Sequence, residues 1–224
     1  MPRIKKTDLL LALAIGFFAA SMMIFVGRNL SVENPAIKII LPYAWYLLIV
    51  FPLFCAGGLY LTKLASEFVG KFIFQFGKFA LVGGFNFLLD AAILNFFIFS
   101  TGIASGYIQS SFKGISFMLG IVSSYLWNKY WTFSGNHGGS RKTEVGKYIL
   151  ISLIGFSLNV GIDYVLVNWV ESFWMMKPML WAQFSAVLAA VIGMFWNFYG
   201  YKFLVFKHAS DTTESTTKEN LDLL

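Results

Sequence analysis

Two stretches of the chain set a lysine among aromatic side chains at the end of an apolar run. One is Trp127-Asn128-Lys129-Tyr130-Trp131-Thr132-Phe133; the other starts at Trp196-Asn197 and runs through Tyr201 and Lys202 to Phe206. An ammonium offers a compact charge with three donors, and neighbouring rings offer flat apolar faces, so the combination suits a phosphate that carries a sugar or an isoprenoid. Lys78 and Lys147 stand at the start of the apolar runs that lead towards these stretches and add two candidate phosphate contacts. Taken singly, each lysine also fits an ordinary anchor that snorkels from a helix end, and Trp127, Tyr130, Trp131, Trp196 and Tyr201 fit either ligand contacts or an interfacial aromatic belt.

Asp90 is the acidic residue whose position asks most for an explanation. It follows Lys78 by 12 residues, which places it ~18 Å further along a helix. In hydrocarbon a carboxylate is costly unless it is paired, protonated or facing water, which makes it a candidate proton carrier or contact for sugar hydroxyls. Asn86, Asn128 and Asn197 are its polar companions in the same candidate site. The competing expectation is a structural hydrogen bond from Asp90 to Asn128, Asn86 or a serine on a neighbouring helix.

The elements that must position these residues follow from composition. With 58% hydrophobic and only 12% charged residues in 224, the chain exceeds what one soluble core can hide, and the bilayer is its solvent. An apolar run at residues 9–26 reads either as a signal peptide's core or as a first span. Its length and the lack of a small-x-small site before Arg28 favour the span. A second run covers residues 39–61, with Pro42 and Pro52 expected to kink or shorten it. Phe68, Phe72 and Phe76 then recur at steps of four opposite Glu67, Lys71 and Lys78. That pattern predicts an interfacial amphipathic helix over 64–76, with Glu67 facing Lys71, or alternatively an extension of the second span. Four further spans follow near 79–99, 111–131, 148–170 and 180–203, with Pro178 in the first turn of the last. Residues 209–224 read as a disordered tail.

The fold class expected is thus an all-α integral membrane protein of six transmembrane helices. Its parts are an N-terminal two-helix hairpin (1–63), the interfacial helix (64–76), a four-helix domain (77–208) and the tail. Thirteen of the 17 lysines and arginines fall on the side of the N-terminus, the even-numbered connections and the C-terminus. The positive-inside rule then puts both termini in the cytoplasm, with Trp169, Trp174 and Trp181 at the outer interface.

The four-helix region is internally duplicated. Sliding it by 69 residues pairs Gly77-Lys78 with Gly146-Lys147, Leu81 with Leu150, Phe87 with Phe156, Val122 with Val191 and Trp127-Asn128 with Trp196-Asn197. The second copy carries four extra residues before its closing phenylalanine, so Lys129 and Phe133 correspond to Lys202 and Phe206. Four residues are about one helical turn and preserve the face. Each copy holds two spans, so the repeat is parallel. The partner of Asp90 is the neutral Asn159. Small residues recur on the second helix of each copy, Ser116, Gly120 and Ser124 in one and Ser185, Ala189 and Gly193 in the other. They suit close helix packing or a thinly lined groove for an acyl or isoprenoid chain.

Several functions lack their residues. Basic residues stand singly at the ends of apolar runs, which excludes a nucleic-acid stripe. His137 and His208 have no partners at ligand spacing, so no metal site and no cofactor is expected. No paired carboxylates, nucleotide-binding glycine loop or Ser/His/Asp set is present, and the expectation is a protein that is not an enzyme.

Phe79-Ala80-Leu81-Val82-Gly83-Gly84 followed by Asp90, then Asn128-Lys129-Tyr130-Trp131-Thr132-Phe133, and the weaker second endings at Asn197-Phe198 and Lys202 to Phe206, resemble the GtrA-like membrane proteins over about residues 74–206. The resemblance implies a small polytopic protein of a bacterial surface-glycan pathway in the inner membrane. It implies movement of a polyprenyl-phosphate-linked sugar from the cytoplasmic to the outer leaflet. The partners expected are the lipid itself, the membrane, a glycosyltransferase and a second copy of the chain. The alternative is a scaffold that holds such a glycosyltransferase and moves nothing. Two spans precede the family-like region, and the resemblance implies no role for them.

Overall fold

The computed structural model describes residues 4–31, 35–133, 140–170 and 178–206. Among them every regular element is helical: α1 (Lys6–Leu30), α2 (Pro35–Ile40), a 3-10 turn at Leu41–Tyr46, α3 (Leu47–Phe68), α4 (Phe72–Thr101), α5 (Gly106–Trp127), α6 (Arg141–Trp169) and α7 (Pro178–Gly200). Five segments among the described residues are long and apolar enough to cross a bilayer. The more polar α5, at 22 residues, measures ~33 Å and is long enough to do so. The chain is an all-α, multi-pass membrane protein.

Local chemistry sets the helix ends. In the first turn of α1 the Asp8 carboxylate accepts the Lys5 backbone N–H at 3.1 Å, satisfying a donor that the helix itself cannot. α4 stops at Gly102, whose φ of 72° lets its N–H reach the Ile98 carbonyl at 2.8 Å. Pro178 opens α7, where its missing N–H costs nothing. Pro52 lies inside α3, and Pro42 falls in the preceding 3-10 turn.

The interfacial helix expected over 64–76 does not exist as an element. α3 continues through Phe68, and α4 begins at Phe72. Between them Gly70 takes a φ of 136°, which reverses the chain direction as no helical residue can. Glu67 pairs backwards with Lys63 at 2.5 Å rather than forwards with Lys71, because the break at Gly70 takes Lys71 off its helix.

The chain forms two compact units, Met1–Thr132 and Phe133–Leu224. The division differs from the expected one, because the first hairpin of the duplicated region packs with the N-terminal helices rather than standing apart from them. In the first unit α1 lies against α3 and α4, around Ala12, Ile15, Leu59, Phe74, Val82 and Trp131. In the second, α6 lies along α7. The tail at 209–224, Trp174, and His137 and His208 lie outside the described residues.

Close approach in the first unit depends on Ala12, Gly16 and Ala20, buried at steps of four on α1. A Cβ on Gly16 would lie 2.5 Å from Pro52 Cα, a contact with backbone that no rotamer relieves. Gly16→Val is therefore expected to cost about 1–3 kcal/mol or more, read as a lowered unfolding midpoint in detergent against an exposed control such as Gly57→Ala.

Candidate functional site

Both duplicated endings leave the α-helical path in the same way. α5 passes into a π-helical turn at Asn128–Thr132, and α7 into one at Tyr201–Val205. The second is closed by the Phe206 N–H donating to the Tyr201 carbonyl, five residues back, at 2.8 Å. Such turns bulge the backbone, and they gather at functional sites. The lysine holds the second position of each turn, Lys129 in one and Lys202 in the other, and a phenylalanine follows each turn at 133 and 206. The four residues added to the second copy thus move its π turn one helical turn along α7 and keep the lysine in register within it.

Each ammonium rests on the ring four residues before it. Lys129 Nζ lies 5.4 Å from the Tyr125 ring centre and donates to the Tyr125 hydroxyl at 3.1 Å. Lys202 Nζ lies 5.7 Å from the Phe198 ring and 5.5 Å from that of Phe203. A cation over a ring face is attracted by the ring's quadrupole, which helps to fix the position of each ammonium. No ion pair involving Lys202 occurs among the described residues.

An apolar groove of about 570 Å³ opens between α4 and α5, lined by Leu89, Ile93, Leu119, Val122, Ser123, Leu126, Trp127 and Tyr130. It ends at the π turn, where Tyr130, the residue after Lys129, is 61% exposed. The small-residue ladder does not line it: Ser116 and Gly120 are buried, and the groove takes the neighbouring face of α5. Trp127 joins groove and core, packing edge-on against Phe85 and Trp131 at 5.9 Å from each.

Lys78 is held differently. It is buried and paired with Asp8 at 2.6 Å, and the Trp131 indole N–H donates to the same Asp8 oxygen at 3.0 Å. The ammonium also lies 4.8 Å from the Phe74 ring and 5.6 Å from that of Trp131. Its counterpart Lys147 is exposed on α6. Three helices meet at this point: the start of α1, the second turn of α4 and the end of α5.

Asp90 is neutralised from α5. Lys113 forms an ion pair with one carboxylate oxygen, and Ser116 donates to the other at 2.6 Å. The Lys113 side chain is 49% exposed and that of Asp90 22%, so the pair lies at the edge of the first unit. Asn86 donates to the Val82 carbonyl at 2.8 Å and Asn128 to the Ser124 hydroxyl at 3.3 Å. Neither lies in hydrogen-bond contact with Asp90. The amide oxygens of Asn86, Asn128 and Asn197 are buried without a hydrogen-bond partner.

In the second unit Tyr201 is buried, stacked on Tyr148 at 4.3 Å with its hydroxyl 2.7 Å from the Ser152 hydroxyl. It braces the turn and is closed to a ligand. Trp196 donates to the Ile151 carbonyl at 3.3 Å, and Asn197 packs on Gly155 so tightly that a Cβ there would lie 2.2 Å from its amide oxygen. Reasoning from sequence missed Asp8 and the shelf residues Tyr125 and Phe198. Aligning the copies on their lysines rather than their tryptophans would have paired the last two.

Residues 78–214 match the family described as GtrA/DPMS, transmembrane domain. A Bacillus subtilis (strain 168) protein described as an uncharacterized membrane protein, YngA, is 30% identical over 131 residues, covering 58% of this chain and 78% of that protein. No solved structure matches the chain. The match begins at Lys78, takes in both lysine-bearing π turns and spans more than half of the 224 residues, and the chain therefore belongs to the GtrA/DPMS transmembrane domain family.

Proposed function

We propose that this protein carries a polyprenyl-phosphate-linked monosaccharide across the bacterial inner membrane, from the cytoplasmic to the outer leaflet. What supports the reading most is the first π turn: Lys129, seated on Tyr125, adjoins Tyr130 at the mouth of the apolar groove. A lipid phosphate needs a cation at headgroup depth and a path for its chain, and that turn offers both within one hairpin. In this reading both termini and the two π turns face the cytoplasm, as the distribution of lysine and arginine suggests. The phosphate engages Lys129, Lys202 serves the second hairpin, and the sugar passes the Asp90–Lys113 pair, whose carboxylate and ammonium can exchange partners with hydroxyls. The lipid is the substrate, and a glycosyltransferase that makes it is the natural neighbour.

The direct test is reconstitution in vesicles with a sided polyprenyl-phosphate-sugar probe, read with and without a pH gradient. Protein-dependent appearance of the probe in the opposite leaflet is expected, and its absence in correctly folded preparations would sink the transport reading in favour of a scaffold. Filling the groove by Val122→Trp is expected to weaken binding of the long-chain lipid by about tenfold or more. A short-chain phosphate amphiphile should bind as before, a difference measurable by competition.

A further inference from the structure

We infer that Asp8 is a built-in stand-in for a substrate phosphate, so that the N-terminal helix competes with the lipid for a cation site made by Lys78 and Trp131. The inference rests on the reading of the protein as a carrier of phosphate lipids and adds a regulated second anion site to it. Two donors from different helices, the Lys78 ammonium at 2.6 Å and the Trp131 indole at 3.0 Å, converge on a single Asp8 oxygen. That is the arrangement one non-bridging phosphate oxygen takes up, with a charge-assisted bond and a neutral one. The site is enclosed: Asp8 is 5% and Lys78 9% exposed, and the Phe74 and Trp131 rings face the ammonium.

The origin of the groups is what separates a plug from an ordinary ion pair. The cation and the indole both belong to the stretch that matches the family, which begins at Lys78, whereas the anion comes from a helix outside it. A lysine this deeply buried needs a counter-charge, and within residues 78–132 the acidic residue is Asp90, which is already bound to Lys113 and Ser116. Within the first unit, the family-matched stretch therefore brings an ammonium and an indole N–H together around a place for an anion that none of its own acids supplies. Here Asp8 fills it, and the other Asp8 oxygen is tied to the start of its own helix through the Lys5 N–H at 3.1 Å. Loading of the site requires the first turn of α1 to withdraw, which couples the added helix to the lipid.

The test uses the full-length protein in detergent, with dodecyl phosphate and inorganic phosphate as probes and dodecyl maltoside as the neutral control. Thermal unfolding is followed for wild type, Asp8→Ala, Asp8→Asn and Asp8→Ala/Lys78→Met. In Asp8→Ala a phosphate probe is expected to restore stability and to bind about tenfold or more tightly than to wild type, the worth of one charge-assisted hydrogen bond. The gain should vanish in the double variant. A full effect from inorganic phosphate would mark the site as one for the free anion, and an effect from dodecyl phosphate alone would mark it as one for the lipid headgroup. Asp8→Asn, which keeps a polar group at the helix start, should show the same ranking if Asp8→Ala is too unstable to measure. Equal phosphate binding by wild type and both Asp8 variants would overturn the inference, as would a gain that survives loss of Lys78. The two readings fail separately. Translocation by wild type without any phosphate gain in the Asp8 variants removes the plug alone. A Lys78-dependent gain in a protein that moves no lipid in vesicles keeps the anion site and removes the transport.

Discussion

Lys129→Ala combined with Lys202→Ala is expected to reduce transfer of a polyprenyl-phosphate sugar in vesicles by about a hundredfold or more, while the protein still folds and inserts. The magnitude follows from removing one charge-assisted contact of about 1.5–3 kcal/mol at each hairpin, a factor of about ten or more at each. Folding should survive because the rings under each ammonium, Tyr125 in one turn and Phe198 and Phe203 in the other, remain after the change. Lys129→Ala alone should account for most of the loss, since the groove ends at the turn that carries it. Lys129→Arg should retain part of the activity, because charge persists while the compact geometry over Tyr125 does not. The readout is the rate at which a sided probe becomes accessible at the opposite face. Unchanged transfer in the double variant would remove the phosphate role of both turns, and a scaffold would then explain the protein better.

The second large effect falls on stability. Lys78→Met is expected to destabilise the first unit by about 3–5 kcal/mol, because it leaves the buried Asp8 carboxylate with the Trp131 and Lys5 N–H groups and no cation. Asp8→Asn together with Lys78→Met should cost much less, since a neutral amide beside an apolar chain carries no uncompensated charge. Denaturant unfolding in detergent micelles, arranged as a double-mutant cycle, measures the coupling. Additive losses would mean that the pair contributes no mutual stabilisation and that its short distance has no energetic consequence.

What the sequence made legible was whatever depends on local pattern. The membrane-spanning helices announce themselves by length and apolarity, and the duplicated endings by their aromatic and lysine spacing. Even the four-residue offset between the endings could be read, because one helical turn preserves the face, and the two π turns carry it in register. The misreadings come from places where a single residue outweighs a pattern. Phenylalanines at steps of four suggested a helix over 64–76, but Gly70 with its positive φ divides that stretch between α3 and α4. Asp90 stood out as an acid within a long apolar run, yet its cation, Lys113, lies 23 residues away near the start of the next helix, where no local pattern links the two. Asp8 was invisible for a related reason. An acid in the first turn of a helix reads as a cap, and only the packing of three helices brings it 70 residues across to Lys78.

The unequal lengths within each hairpin have a consequence for the membrane itself. α4 has 30 residues and α6 has 29, whereas α5 has 22 and α7 has 23. The longer pair measures ~44–45 Å, about the full bilayer with its headgroups, and the shorter pair ~33–35 Å, close to the hydrocarbon core alone. Each long helix must tilt or extend its ends among the headgroups. Lys78 and Lys147 each stand six residues inside the start of a long helix, ~9 Å from its tip. In the proposed orientation such an overhang would set each ammonium near the hydrocarbon boundary, the depth at which a lipid's phosphate joins its chain.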